Sequence, residues 1–163
     1  MSELSFRDTP APADAELVRR LAQDSAGFSA REIEIAVELV EERLARGLDA
    51  SGYHFLFGQR DPDGPALGYA CYGPIPLTAA SWDLYWIAVA TPAQGRGVGR
   101  RLLAEAERRA KAFGATQLYI DTSGRADYAR SQAFYAAAGY RLAANLPDFY
   151  APGDAKLVFA KRL

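Results

Sequence analysis

Apolar positions recur at helical spacing in the first third of the chain, cluster into short strand-like runs through the middle, and return to helical spacing after the glycine loop. Asp14 stands as a candidate N-cap for a first helix through Glu16, Leu17, Val18 and Leu21. Ser29-Ala30-Arg31-Glu32 is a capping box, with a hydroxyl at the cap and a carboxylate three residues on. Ile33, Val37, Val40 and Leu44 then repeat on one face, and Gly47 ends the predicted helix. From Tyr53 to Phe57 the pattern becomes that of a strand running on through Gln59 and Arg60. The turn Asp61-Pro62-Asp63-Gly64 and a second strand, Ala66 to Tyr72, complete a predicted hairpin. Ser81 to Ala90 is nearly all apolar, which suits a strand covered on both faces.

After Thr91-Pro92 comes a glycine loop and then a long helix with Val98, Leu102, Ala106, Ala110 and Phe113 on its apolar side and Gly114 as its stop. Leu118-Tyr119-Ile120 reads as a short strand, and Asp127 to Ala138 as a helix ended by Gly139. Tyr140 to Leu142 and Leu157 to Ala160 are closing strands. The segment from Pro147 to Asp154 reads as an aromatic, turn-rich loop between them, and Leu4 to Arg7 offers one further strand. This order predicts an α/β (α+β) domain with a mixed sheet, one domain over residues 1–163.

Composition narrows the functional classes. Half of the 163 residues are apolar and 24% are charged, so the chain can build a core. A formal net charge of -1 gives no bulk attraction to nucleic acid or an anionic membrane. No signal peptide is visible from Met1 to Pro12 and no apolar run could span a bilayer, so a cytoplasmic location is expected. One cysteine, Cys71, fits a reducing compartment and reads as a small core residue. With His54 the sole histidine, no zinc cluster can form and no metal is expected. His54 itself reads as a strand residue.

The loop Gln94-Gly95-Arg96-Gly97-Val98-Gly99 is where chemistry concentrates. Glycines let backbone N–H groups converge on an anion, and a helix start adds the positive end of its dipole. Arg96, Arg100 and Arg101 add full charge, so a pyrophosphate suits the place. A dinucleotide loop would need glycine where Arg100 stands, although Asp121 lies at the distance of a ribose-binding acid and keeps a nicotinamide reductase open. An ATP loop would need Gly-Lys-Ser/Thr where Gly99-Arg100-Arg101 stands. A third pattern, Q/R-x-x-G-x-G/A after a buried strand, is matched in full.

With Leu84 to Val89, Thr91-Pro92, this loop and Arg101-Leu102-Leu103, the chain resembles the GNAT family of N-acetyltransferases. A second block, Ser131 to Tyr140, carries Phe134-Tyr135 and ends in Gly139-Tyr140, and it resembles the family's later segment. The resemblance implies a GNAT-like acyl-CoA N-acyltransferase fold: a mixed, mostly antiparallel sheet, splayed at the cofactor cleft and flanked by helices. It implies acetyl-CoA as acyl donor, its pantetheine arm along Ile87, Ala88 and Val89. The pyrophosphate would lie on Gln94, Gly95, Arg96, Gly97, Val98, Gly99 and Arg100, with Tyr128, Ser131 and Phe134 alongside. Where the family often has asparagine this chain has Tyr128, which puts that contact to the cofactor arm in question.

The activity implied is acetyl transfer to a primary amine of a small molecule or peptide. A silent acyl-CoA sensor is the rival from another class. Transfer needs a base, because a free amine is protonated near neutrality, and a donor for the departing thiolate. Tyr135 stands at the family's acid position, and for the base there are two candidates, Asp83 on the buried strand through a desolvated carboxylate and a water relay with no carboxylate. Trp86, Phe149 and Tyr150 are candidate acceptor contacts, the last two in a segment resembling the aromatic loop of the family's amino-terminal acetyltransferases. The resemblance leaves a homodimer open.

Overall fold

The computed structural model describes residues 3–25 and 27–163, and the strand-like segments join there into one sheet of seven. The strands are β1 (Ser5–Arg7), β2 (His54–Gln59), β3 (Ala66–Pro74), β4 (Ser81–Val89), β5 (Gln117–Ser123), β6 (Arg141–Ala151) and β7 (Asp154–Arg162). The helices are α1 (Asp14–Asp24), α2 (Ala30–Ser51), α3 (Val98–Ala112) and α4 (Ala129–Ala137), with 3-10 turns at Thr91–Ala93 and Ala126–Tyr128. Sheet order is β1-β2-β3-β4-β5-β7-β6, antiparallel except for the β4–β5 pair.

Each sheet face buries its own core. Val18, Leu21, Val37 and Val40 of α1 and α2 cover Phe55, Phe57, Tyr69 and Cys71. Leu102 and Leu103 of α3 and Tyr135 of α4 cover Leu56, Leu118, Ile120 and Phe159 on the other face. Fully burying one such aliphatic side chain is worth about 1.5–3 kcal/mol, so these two layers hold the strands in register. A bulge between Cys71 and Tyr72 skips Tyr85, and both Tyr85 and Trp86 then pack with the α1–α2 core.

Several boundaries depart from expectation. Asp14 is not the cap of α1; Ala13 is, and Asp14 lies inside the helix. Its buried carboxylate accepts from the Ala11 N–H at 2.6 Å and from both Arg7 nitrogens at 2.7 and 2.8 Å, tying β1 to α1. The capping box forms as predicted, Ser29 Oγ accepting from the Glu32 N–H and the Glu32 carboxylate from the Ser29 N–H. Gly47 ends the first helical run as expected (φ 78°, ψ 177°), but past this kink a further short helical run continues to Ser51, whose hydroxyl donates 2.6 Å to the Gly47 carbonyl, and Gly52 closes it. Phe113 is largely exposed rather than core, its ring stacked over Trp82 and against His54.

The segment expected as a loop, Pro147 to Asp154, is mostly strand: β6 runs to Ala151 and the turn is Pro152-Gly153. Its registration with β7 breaks between Leu146 and Ala151, so 147–150 bulge outward. Asp148, at φ 56°, accepts the Gly153 N–H at 2.7 Å and holds that bulge.

Candidate functional site

Strands β4 and β5 pair only from Ser81–Gln117 to Leu84–Ile120. Beyond that β4 continues to Val89 and β5 to Ser123 without pairing to each other, while β3 and β7 stay paired to their other edges, so the sheet splays. Backbone groups seek partners. The β4 edge beyond Leu84 therefore offers hydrogen bonds to whatever enters the gap. A cleft of about 1230 Å³ fills the splay. Tyr85, Trp86 and Ile87 are half-buried because they border it, which corrects the expectation of a strand covered on both faces.

One half of the cleft is the glycine loop. The N-cap of α3 is Gly97 (φ 79°), which has no side chain to satisfy the first-turn N–H groups, and no acidic residue stands in that turn. The N–H groups of Val98, Gly99 and Arg100 have no intrahelical partner by geometry and carry the positive end of the dipole. Gly95, at φ 71°, shares the left-handed conformation, and a Cβ at either glycine would meet open space. Gln94 stabilises the loop from within, its Nε2 donating 3.0 Å to the carbonyl of Val89. Ile87, Ala88, Val89, Gln94, Gly95, Gly97, Val98, Gly99 and Arg100 all border the cleft, as do Tyr128, Ser131 and Phe134. Arg96 is exposed and stands outside the lining.

These features suit a long ligand with a pyrophosphate: an uncapped helix start, a free strand edge leading away from it, and Arg100 and Arg130 in the lining. The residues fit coenzyme A. They do not suit a nicotinamide dinucleotide, whose fold is a largely parallel doubly wound sheet, because here one strand pair alone is parallel.

The other half is built from side chains. Trp86 packs edge-on against Phe28 with ring centroids 4.8 Å apart, and Tyr85 against Tyr53 at 5.5 Å. Glu32 of α2, Asp121 of β5 and Tyr150 of β6 complete the wall. Phe149 is more than half exposed and stands outside the lining; it packs on Tyr150 and receives the Lys156 ammonium over its ring at 4.8 Å. Lys156 also pairs with Asp121 at 2.7 Å.

Tyr135 borders the cleft where the two halves meet, and its residue surface is 8% exposed. Burial pushes its hydroxyl well above the ordinary range, so it keeps its proton at any working pH. Asp83 is pushed up to about 6, chiefly by burial and secondly by the Asp121 carboxylate, with Lys156 opposing. It stands behind the lining rather than in it, beside Tyr85, which burial and then the Asp83 charge raise to about 12. His54 lies in a separate aromatic cluster with Tyr72, Trp82 and Phe113, lowered to about 4 by burial. The Cys71 thiol is fully buried and pushed upward.

Sequence reading missed Phe28, Glu32, Tyr85 and Asp121 as wall residues. Phe28 carried a usable signal: it directly precedes the Ser29 cap, where an apolar residue ordinarily packs back onto its own helix. Here the ring reaches Trp86 instead of serving the helix alone.

Comparison with known proteins agrees with this geometry. Blasticidin-S acetyltransferase from Streptomyces morookaense is 40% identical over 82 residues, spanning 50% of this chain and 55% of that protein. A crystal structure of a GNAT-family protein from Desulfovibrio desulfuricans is 43% identical, covering 98% of this chain and 99% of that one, with a TM-score of 0.93. A Salmonella typhimurium structure holding acetyl-CoA shares the fold at 18% identity, covering 99% of this chain and 95% of that one, with a TM-score of 0.70. The model of the acetyltransferase (GNAT) family matches residues 16–140, and the chain belongs to that family.

Proposed function

We propose that the protein transfers the acetyl group of acetyl-CoA directly to a primary amine. The observation that carries this reading is the splay of β4 from β5 ending at an uncapped, glycine-formed helix start. A silent sensor would need the same donor site but not a second wall of aromatic and acidic side chains facing it. Half of this chain aligns with the blasticidin-S acetyltransferase, and that likeness supports an amine acceptor.

Each residue has a part that follows from its surroundings. The N–H groups of Val98, Gly99 and Arg100 bind the pyrophosphate, with the Arg100 charge alongside. The free edge of β4 at Ile87, Ala88 and Val89 orients the arm that ends in the thioester. Tyr135 remains protonated and directs its hydroxyl proton to the departing sulfur. Asp83, at about 6, is ionised at pH 7 yet basic enough to accept a proton. Because it stands behind Tyr85, the amine proton reaches it through a relay rather than directly. Trp86, Phe28 and Tyr150 exclude water from the acceptor half, which favours the neutral amine.

A small molecule or a peptide end fits this opening, and a lone buried cysteine suits the cytoplasm. Among the described residues no helix is long and apolar enough to cross a membrane. The test is a screen of amines with acetyl-CoA, reading free thiol and the N-acetyl product by mass. Amine-dependent thiol release is expected; acetyl-CoA binding without release on any amine would favour the sensor.

A further inference from the structure

Each of the two diverging strands ends in a 3-10 turn, and each turn grips the connection between α1 and α2. After β4, the Thr91 hydroxyl donates 3.1 Å to the carbonyl of Asp24, the last residue of α1. After β5, the Tyr128 hydroxyl donates 2.7 Å to the carbonyl of Gly27. The Tyr128 ring also lies on Gly27, where an added Cβ would meet its Cζ at 3.7 Å. At φ 108° that backbone is open chiefly to glycine. The next residue is Phe28, whose ring forms the acceptor wall with Trp86.

We propose that Tyr128 is a positioning residue for the amine acceptor: by holding Gly27 it sets Phe28 against Trp86 and fixes the width of the acceptor half. The inference rests on the acetyl-transfer reading above. Resemblance set Tyr128 beside the cofactor arm, but its hydroxyl is committed to the opposite side of the cleft. The side chain crosses from the donor lip to the acceptor wall, which an asparagine is too short to do. Gly27 is exposed, so its carbonyl can turn to water when the tie is cut. Tyr128→Phe therefore frees the connection without unfolding the helices around it.

Three measurements on Tyr128→Phe and wild type test this. Calorimetry with acetyl-CoA should give equal affinity in both. Amide exchange in the peptide holding Phe28 and Ser29 should quicken by about fivefold, the effect of one lost hydrogen bond. With the best amine from the screen, acceptor KM should rise by about fivefold while kcat holds. Weaker acetyl-CoA binding with unchanged KM, or unchanged exchange at Phe28, would overturn the proposal and return Tyr128 to the donor side. If wild type acetylates no amine, the transfer reading falls by itself, and calorimetry and exchange still decide which wall Tyr128 holds.

Discussion

On the proposed donor side of the cleft the groups on offer are largely backbone: a strand edge unpaired toward the gap and the first N–H groups of α3, with Arg100 beside them. On the acceptor side they are side chains from α2, β4, β5, β6 and the connection before α2. Backbone chemistry is the same whatever the sequence, so the donor site needs only a strand, two left-handed glycines and a helix start. The acceptor wall has no such economy. Its chemistry is set by which side chains stand there, and its shape by how distant elements pack. A common donor can therefore be held by a repeated local pattern while the acceptor changes from protein to protein.

The sharpest way to divide the two halves is at their boundary. Tyr135→Phe should lower kcat by about 100-fold, since general acids contribute on that order, while acetyl-CoA affinity stays the same. Steady-state kinetics with parallel calorimetry checks this, and an unchanged kcat would remove Tyr135 from the reaction. Asp83→Asn should lower kcat by about 100-fold and abolish an acidic limb in the pH–rate profile. In wild type that limb should fall at about pH 6, with activity lost below it as the carboxylate takes up its proton. Because its folded pKa is raised, Asp83 adds stability only at low pH and loses that contribution as pH rises to about 6. Asp83→Asn should accordingly melt no lower than wild type at pH 7, whereas a lowered melting temperature would assign Asp83 a structural role.

Smaller effects should separate cleanly by side. Gly97→Val puts a branched residue at φ 79°, at a cost of about 1–2 kcal/mol, and should weaken acetyl-CoA by about tenfold with acceptor KM unmoved. Trp86→Ala should do the reverse, raising acceptor KM by about fivefold at constant donor affinity through lost aromatic contact. If both variants shifted both constants alike, the two-sided description of the cleft would be wrong.

The same division explains what could be read from the chain alone. The glycine-formed, uncapped helix start at Gln94 to Gly99 is legible because its glycines and following helix are local, and the capping box at Ser29 is legible for the same reason. Tyr150 borders the cleft, but its setting is not legible in the chain: the expected loop is a strand with a bulge, held by Asp148 reaching Gly153. The break at Gly47 is legible because glycine takes a backbone conformation no helix uses, whereas the short helical run beyond it to Ser51 carries no such mark. The start of α1 is not legible, because Arg7 draws Asp14 into a buried pair instead of leaving it as a cap. Phe28 and Asp121 joined the wall only through the approach of separate elements across the splay, which no periodicity records.

The most direct test is a calorimetric titration of acetyl-CoA, and separately of NADH, into wild type and Gly97→Val. Saturable one-to-one binding of acetyl-CoA to wild type, about tenfold weaker binding to the variant and no heat from NADH are the results expected of a backbone-held donor. Binding of NADH without acetyl-CoA, or acetyl-CoA affinity indifferent to Gly97, would contradict it.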